Sequence, residues 1–568
     1  MQKRILLTAI IITFMVISSY TINNNEIAIN NDKMENERVS IKFLESLKVV
    51  DSSSKDEITL QSYINNEIDS KQYAINLKSI KVSDDQFIST WNTIFTAMGS
   101  SNSQQVKLPL ESSGTYDFFV DWGDNTNNTI ISYNQAEVTH TYDNEGIYTI
   151  KINGTLIGWN FKSVGDNKKL LEISQWGDLR LGNTGGYFAG CENLKITATD
   201  TLNLNGTTNL KSAFINCKNL GDQGNMNGWD VSSVTTMENM FKFSDTFNQS
   251  IENWDVSNVT TMESMFENAI NFNQPIGEWN TSKVTNMASM FKSTSSFDQL
   301  LDSWDVREVT TMQDMFASAT SFNSPIGSWN TSKVTNMVSM FQNATSFNQP
   351  IGNWDTSKVE RFFNLFLEAK AFNQNINDWD VSKVTYFGSL FWGASSFNQP
   401  LNSWNMSKAE DLGFMFHYAS SFNQPLNNWD ISHVTNLQSV FWGAYEFNQN
   451  IDSWDVSQVT YMGSLFNNAW KFNQSLNSWD TSSVTDTRCL FQSAESFNQP
   501  LNNWDMSQVT YTGYMFNEAH SFNQNISHWD VSKVNFFGSM FQNATIFNQP
   551  LIKWNVSSAT NMRHMFHA

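Results

Sequence analysis

A tryptophan recurs every 25 residues from Trp229 to Trp554, fourteen times without an insertion. Twelve residues after each stands a Phe, from Phe241 to Phe566, and eighteen after each of the first thirteen stands another, from Phe247 to Phe547. A unit this short has nothing of its own to bury an apolar face against, so the face has to be covered by neighbouring units. The array therefore reads as a repeat solenoid.

One unit runs Trp454-Asp455-Val456-Ser457-Gln458-Val459-Thr460 and continues through Met462, Leu465, Phe466, Ala469 and Phe472-Asn473-Gln474. Its apolar members face inward. Met462, Leu465, Phe466 and Ala469 fall at i, i+3, i+4 and i+7, which predicts about one helical turn in each coil. The Ala position holds Ala in eleven of thirteen full repeats, so a backbone is expected to pass close there. The residue after Trp is Asp in ten repeats and Asn in four (Asn280, Asn330, Asn405, Asn555), so the side-chain acceptor matters and the charge does not. Ser follows two residues later in thirteen of fourteen, the pattern of an Asx turn. Asn follows the second Phe in twelve of thirteen, with Asp298 the exception, and is expected to satisfy turn backbone from coil to coil. Pro occupies one loop position in seven repeats, Pro275 to Pro550, where no ladder N–H is needed.

Two irregular coils precede the array, around Phe188 and Phe214, and place Cys191 and Cys217 at the Ala position. Coils stacked at about 4.8 Å put the two thiols within disulfide reach, so a bridge and a pair of buried thiols both remain open. Roughly sixteen coils give a rod on the order of 75 Å long.

Upstream, Lys3 and Arg4 precede an apolar run from Ile5 to Ile17, the pattern of a secretory signal over residues 1–23. No small-x-small cleavage motif is clear, which leaves an uncleaved N-terminal anchor open, and no other segment is long and apolar enough to span a bilayer. Residues 24–85 are polar and aperiodic and read as a flexible spacer. From 86 to 158 the texture is β, with turn-formers at Asp121-Trp122-Gly123-Asp124-Asn125 and Asp143-Asn144-Glu145-Gly146. Val120-Asp121-Trp122-Gly123-Asp124, Thr139-His140-Thr141-Tyr142 and Gly146-Ile147-Tyr148-Thr149-Ile150 resemble the polycystic-kidney-disease (PKD) type of immunoglobulin-like β-sandwich, with Asn125 departing from the usual Gly. Asp121 and Asp124 are candidates either for Asx-turn capping or for a cation.

The array resembles the BspA-like leucine-rich-repeat surface proteins. Phe397-Asn398-Gln399-Pro400-Leu401-Asn402-Ser403-Trp404 and Ser332-Lys333-Val334-Thr335-Asn336-Met337-Val338-Ser339-Met340-Phe341 carry the match, and the resemblance covers about residues 86–568. It implies a leucine-rich-repeat-like solenoid with one short strand plus a turn or short helix per 25-residue coil, preceded by a small Ig-like, PKD-like sandwich (86–158) and irregular coils (159–228), with the fourteen repeats filling 229–568. It also implies a bacterial, secreted or cell-surface adhesive protein with no shared catalytic residues.

Composition narrows the function classes. With 55 acidic against 34 basic residues the formal net charge is −21, which disfavours nucleic acid as a partner. Three Cys and seven His leave little material for a disulfide framework or a transition-metal site. The Asp ladder would suit Ca²⁺ only weakly, because Asn replaces Asp freely; no metal or cofactor is expected. Catalysis needs a one-off constellation and the array offers near-identical copies, so no enzyme is expected.

Binding then has to reside where the coils vary. Seven residues after Trp, later coils carry Tyr386, Tyr461, Tyr511 and Phe536, each with Gly two residues on (Gly388, Gly463, Gly513, Gly538), so that a ring can lie flat where a side chain is missing. Thirteen after Trp come Trp392, His417 and Trp442; sixteen after it come Tyr445, Trp470 and His520. The candidate binding residues are therefore Tyr386, Trp392, Trp442, Tyr445, Tyr461, Trp470, Tyr511 and Phe536, for an extracellular protein or glycan; gap filling between coils is the competing role. A structural stalk, self-associating through the uncapped C-terminal coil, is the alternative to adhesion.

Overall fold

The computed structural model describes residues 85–567 except Met98, together with two short strands, β1 (Lys48–Val50) and β2 (Glu57–Thr59), which pair antiparallel. The expected signal (1–23) and most of the expected spacer (24–85) lie outside the described residues. The chain divides between Asp85 and Gln86. Among the described residues, no helix is long and apolar enough to cross a membrane.

The second unit opens with strand β3 (Phe87–Asn92), whose Phe87, Ser89 and Trp91 are buried while the alternate residues are not, the period of a half-buried strand. A short pair, β4 (Gln105–Lys107) and β7 (Thr139–Thr141), stands apart. The main sheet joins β3 to β5 (Leu110–Asp121), β6 (Asn127–Ile130), β8 (Ile147–Trp159), β9 (Leu170–Gln175), β10 (Leu179–Arg180) and β11 (Lys195–Ile196). Its order is β11-β9-β3-β8-β5-β6, with β10 also on β8. The sheet does not stop near Gly158: β9 pairs with β3, and β10 and β11 add parallel to β8 and β9. The first irregular coils thus cover edges that would otherwise expose unpaired backbone.

Asp121 and Asp124 cap turns. Asp121 Oδ1 accepts the Gly123 amide at 2.9 Å, and Asp124 accepts the Thr126 amide at 3.0 Å while meeting His140 Nε2 at 2.8 Å. His140 stacks on buried Trp122 at 4.7 Å, and the Tyr142 hydroxyl donates to the Trp122 carbonyl at 3.0 Å.

In the irregular coils Phe188, Phe214 and Phe241 stack at 5.2 and 5.7 Å, which brings these coils into the phase of the array. Cys191 and Cys217 are buried free thiols, and Cys217 Sγ donates to the Phe188 carbonyl at 3.0 Å.

From Trp229 onward each coil lies on the next through the same backbone scheme. The amides of Met237, Asn239, Phe241 and Phe243 donate to Thr261, Glu263, Met265 and Glu267 of the following coil, at 3.2, 2.8, 2.9 and 2.8 Å. The intervening amides of Met240, Lys242 and Ser244 close tight turns onto Met237, Asn239 and Phe241. Turning alternate amides outward in this way requires left-handed backbone ten and fourteen residues after Trp. Both positions have positive φ in every described coil, for example Asn239 at 57° and Phe243 at 59°.

This is where the structure departs from the expected helical turn and short strand. Met462, Leu465, Phe466 and Ala469 are all fully buried, as their spacing implies, but they lie in consecutive tight turns. An α-helix would spend every amide inside its own coil, whereas here half of them hold the neighbouring coil. The strand is reduced to a single parallel bridge per coil, seven residues after Trp, running from Thr236↔Thr261 to Phe536↔Asn561.

Side chains add ladders of their own. Phe266 stacks on Phe291 at 5.6 Å and on Phe272 at 4.0 Å, and Trp254 on Trp279 at 6.3 Å. Each indole from Trp254 to Trp554 donates Nε1–H to a backbone carbonyl 28 residues earlier, as Trp354 does to Ile326 at 3.1 Å. The Asp or Asn after Trp accepts the amide two residues on, as in Asp455 with Ser457 at 3.0 Å, so the expected Asx turn is present.

Candidate functional site

The bridge residue seven after Trp has its backbone tied into the ladder and its side chain on the outside, so whatever occupies it is displayed in a column. In the last coils this column becomes continuous. Tyr511 stacks on Phe536 at 4.4 Å with planes 6° apart. The Arg488 guanidinium lies 4.4 Å from the Tyr511 ring and 6.0 Å from the Tyr461 ring, so it is held between them. Asp486 grips the same guanidinium through Nε at 2.8 Å and raises the pKa of Arg488 further above its ordinary range. A side chain at Gly463, Gly513 or Gly538 would collide with these rings: a Cβ at Gly513 would lie 2.6 Å from Phe536 and 2.8 Å from Tyr511. Burial pushes the Tyr461 and Tyr511 hydroxyls above their ordinary pKa.

Tyr386 does not join this strip. The ring over Gly388 is that of Phe363 from the preceding coil, 3.3 Å from where a Cβ would stand, and Tyr386 is left 51% exposed beside it.

A second group of rings spans four coils further up. Trp392 stacks on Phe414 at 5.4 Å and meets His417 edge-on at 4.6 Å. His417 meets Trp442 at 4.8 Å, Tyr418 approaches Tyr445 at 6.4 Å, and Tyr445 stacks on Trp470 at 4.0 Å. Seven rings form one contiguous cluster, its outer faces offered by Tyr418 and Trp470, 41% and 43% exposed. Lower coils carry amides in the row thirteen after Trp: Asn467 donates to Gln492 at 3.3 Å, and Gln492 to Asn517 at 3.2 Å. The cluster therefore ends where a polar ladder begins.

Its interior is buried. His417 is 5% exposed, and burial lowers its pKa to about 4 against the opposing pull of the Ser439 backbone. His417 Nδ1, Ser439 Oγ and Trp442 Nε1 are buried without a hydrogen-bond partner among the described residues. Phe414 and Tyr418 hold bulky side chains at positive φ, 62° and 53°, where other coils mostly place Ser, Asn or Gly. The same left-handed backbone recurs in every described coil, and Phe243 and Tyr514 also carry rings there.

The structure therefore brings seven of the eight sequence-predicted residues together in two groups and leaves one outside. Trp392, Trp442, Tyr445 and Trp470 share the upper cluster; Tyr461, Tyr511 and Phe536 share the lower strip; Tyr386 belongs to neither. Sequence reasoning missed Phe363, Phe414, Tyr418 and Arg488. Phe414 and Tyr418 were detectable as bulky residues in columns otherwise filled by small or polar ones.

The stacked, in-register coils define a tandem-repeat protein. The chain belongs to the family described as Mycoplasma protein of unknown function, DUF285, whose model matches residues 183–300, 208–327, 272–375, 348–441, 422–520 and 470–568. The successive matches overlap, as expected when a motif repeats more often than the model is long. No curated protein matches the chain.

Proposed function

We propose that the chain is a non-catalytic, secreted or cell-surface interaction protein that holds a protein or glycan partner on the ring-bearing face of its coils. The proposal includes its architecture, a BspA-like, leucine-rich-repeat-like solenoid preceded by a PKD-like, Ig-like domain. The observation that carries the binding reading is the cluster from Trp392 to Trp470. It sets seven touching rings beside a row that carries hydrogen-bonded amides from Asn467 onward, at a cost in buried polar atoms without a partner among the described residues. A core needs no such patch, because the coils that carry the rings already have fully buried Phe391, Phe416, Phe441 and Phe466, with Leu390, Met415, Leu437 and Met462 beside them.

The test is a binding screen of the full chain against arrayed glycans and extracellular-matrix proteins, beside a variant with Tyr418, Trp442, Tyr445 and Trp470 changed to Ala. Ligands retained by the parent and lost by a variant of unchanged far-ultraviolet dichroism support the reading. Ligands that survive all four changes remove this face, and silence across both arrays removes binding.

A further inference from the structure

Tyr386, which neither ring group accommodates, lies in a setting of its own. It lines an open pocket of about 380 Å³ with Glu360, Arg361, Lys383, Thr385 and Lys408, a volume within the span of about 300–1,000 Å³ typical of small-molecule sites. Arg361, Lys383 and Lys408 make no ion pair among the described residues, although Asp380 lies near enough to Lys383 to sense its charge. Elsewhere on the coils many cations are matched: Lys333 with Glu308, Lys292 with Asp314, Arg488 with Asp486. What sets Arg361, Lys383 and Lys408 apart is that all three converge on one pocket, in a chain of net charge −21.

The backbone is irregular at the same place. The amide six residues after Trp normally donates to the previous coil, as Thr285 does to Thr260 and Thr335 to Thr310, both at 2.9 Å. Thr385 does not make this bond to Glu360, and the amides of Met337 and Phe362 do not make theirs to Arg361 and Tyr386. The parallel bridges Asn336↔Arg361, Arg361↔Tyr386 and Tyr386↔Asp411 persist, so the stack runs on through the pocket with a few of its bonds missing.

We infer that this pocket binds an anionic sugar, a carboxylated or sulfated saccharide unit. Arg361, Lys383 and Lys408 would take the anion, the exposed Tyr386 ring would stack on the apolar face of the pyranose, and Glu360 and Thr385 would meet its hydroxyls. The bare cations call for a negative ligand, and the exposed ring face calls for one with a flat apolar side, which a pyranose has and polyglutamate lacks. Because the rest of the molecule repels polyanions, attraction has to be local. The inference rests on the reading of the coil face as a binding surface and narrows it to one site and one ligand class.

Isothermal titration of the full chain tests it, with hyaluronan oligosaccharides as the carboxylated probe, heparin oligosaccharides as the sulfated one, neutral maltooligosaccharides, and polyglutamate. At least one acidic saccharide binds, and its affinity falls roughly tenfold or more in R361Q/K383Q/K408Q and in Y386A, whereas Y386F keeps it. These side chains are on the surface, so the variants keep the parent's melting temperature. Four results would overturn the site: no acidic saccharide binds, the triple variant binds like the parent, the neutral sugar binds equally well, or polyglutamate does. Should the site fail while array ligands dependent on Trp442 and Trp470 remain, the broader interaction role stands without it.

Discussion

Trp229 and Trp354 occupy the same position in their coils and differ in the fate of one proton. Trp354 Nε1–H reaches the Ile326 carbonyl, whereas Trp229 Nε1 is buried without a partner. Trp354→Phe removes ring volume and a buried hydrogen bond, while the Ile326 carbonyl keeps the Trp329 amide; Trp229→Phe removes only the volume. The first substitution is expected to cost about 0.5–1.5 kcal/mol more than the second, measurable as the difference between their denaturant midpoints at an unchanged m-value. Equal losses would mean that the indole column is held by packing alone. His417 gives a residue-scale pH dependence. Its folded pKa, about 4, lies below the ordinary 6.5, so the unfolded chain binds the proton more readily. The contribution of His417 is complete above pH 6.5 and is lost as pH falls from there towards 4. His417→Gln removes this component, worth at most about 3 kcal/mol. The difference in melting temperature between parent and variant should therefore shrink on acidification; a constant difference would mean that burial leaves the proton affinity of His417 unchanged.

At the scale of the coil, one acceptor per turn is enough to register the loop after the second Phe. Asn448 Oδ1 accepts the Asn473 amide and Gln474 Nε2, each at 2.9 Å. Asp298 does the same work as a carboxylate, accepting the Asn323 amide at 2.8 Å and the Ser324 hydroxyl at 3.1 Å. Asn448→Asp is accordingly expected to be nearly neutral. Asn448→Ala strands two donors and costs about 1–3 kcal/mol, read from thermal or denaturant unfolding; an Asp variant as damaged as the Ala variant would show that the amide nitrogen also carries weight. The coil also explains a misleading signal. The i, i+3, i+4, i+7 spacing of Met462, Leu465, Phe466 and Ala469 reports correctly which side chains are buried. Periodicity does not report where the amides point, and positive φ at Ser464 and Asn468 turns them towards the next coil. Ser and Asn recurring at these two positions are compatible with a left-handed backbone but do not demand it, so the turn run was not legible in the residue types.

At the scale of the whole molecule, the period made the repeat and its inward columns legible, because a strict spacing of Trp and Phe has few physical solutions. The site was legible only in part. Tyr445 and Trp470 share a column in adjacent coils and do stack, and Tyr511 and Phe536 do likewise. Contacts that cross columns, such as Trp392 with Phe414 or Arg488 with Tyr511, depend on how each coil presents its turns, which spacing along the chain does not encode. The same in-register ladder has a mechanical consequence. Every coil is fastened to its neighbour by a near-identical set of bonds, and among the described residues of the array no hydrogen bond skips a coil, so tension applied to the ends of the array meets similar obstacles in series. Drawn out between a surface and a cantilever, residues 229–568 should yield as a sawtooth of evenly spaced steps. Each step would release 25 residues, about 85 Å of extended chain, and a single large rupture would mean that the coils fail together. A chain built this way would behave under flow as a shock absorber, paying out length one turn at a time and rewinding when the pull relaxes.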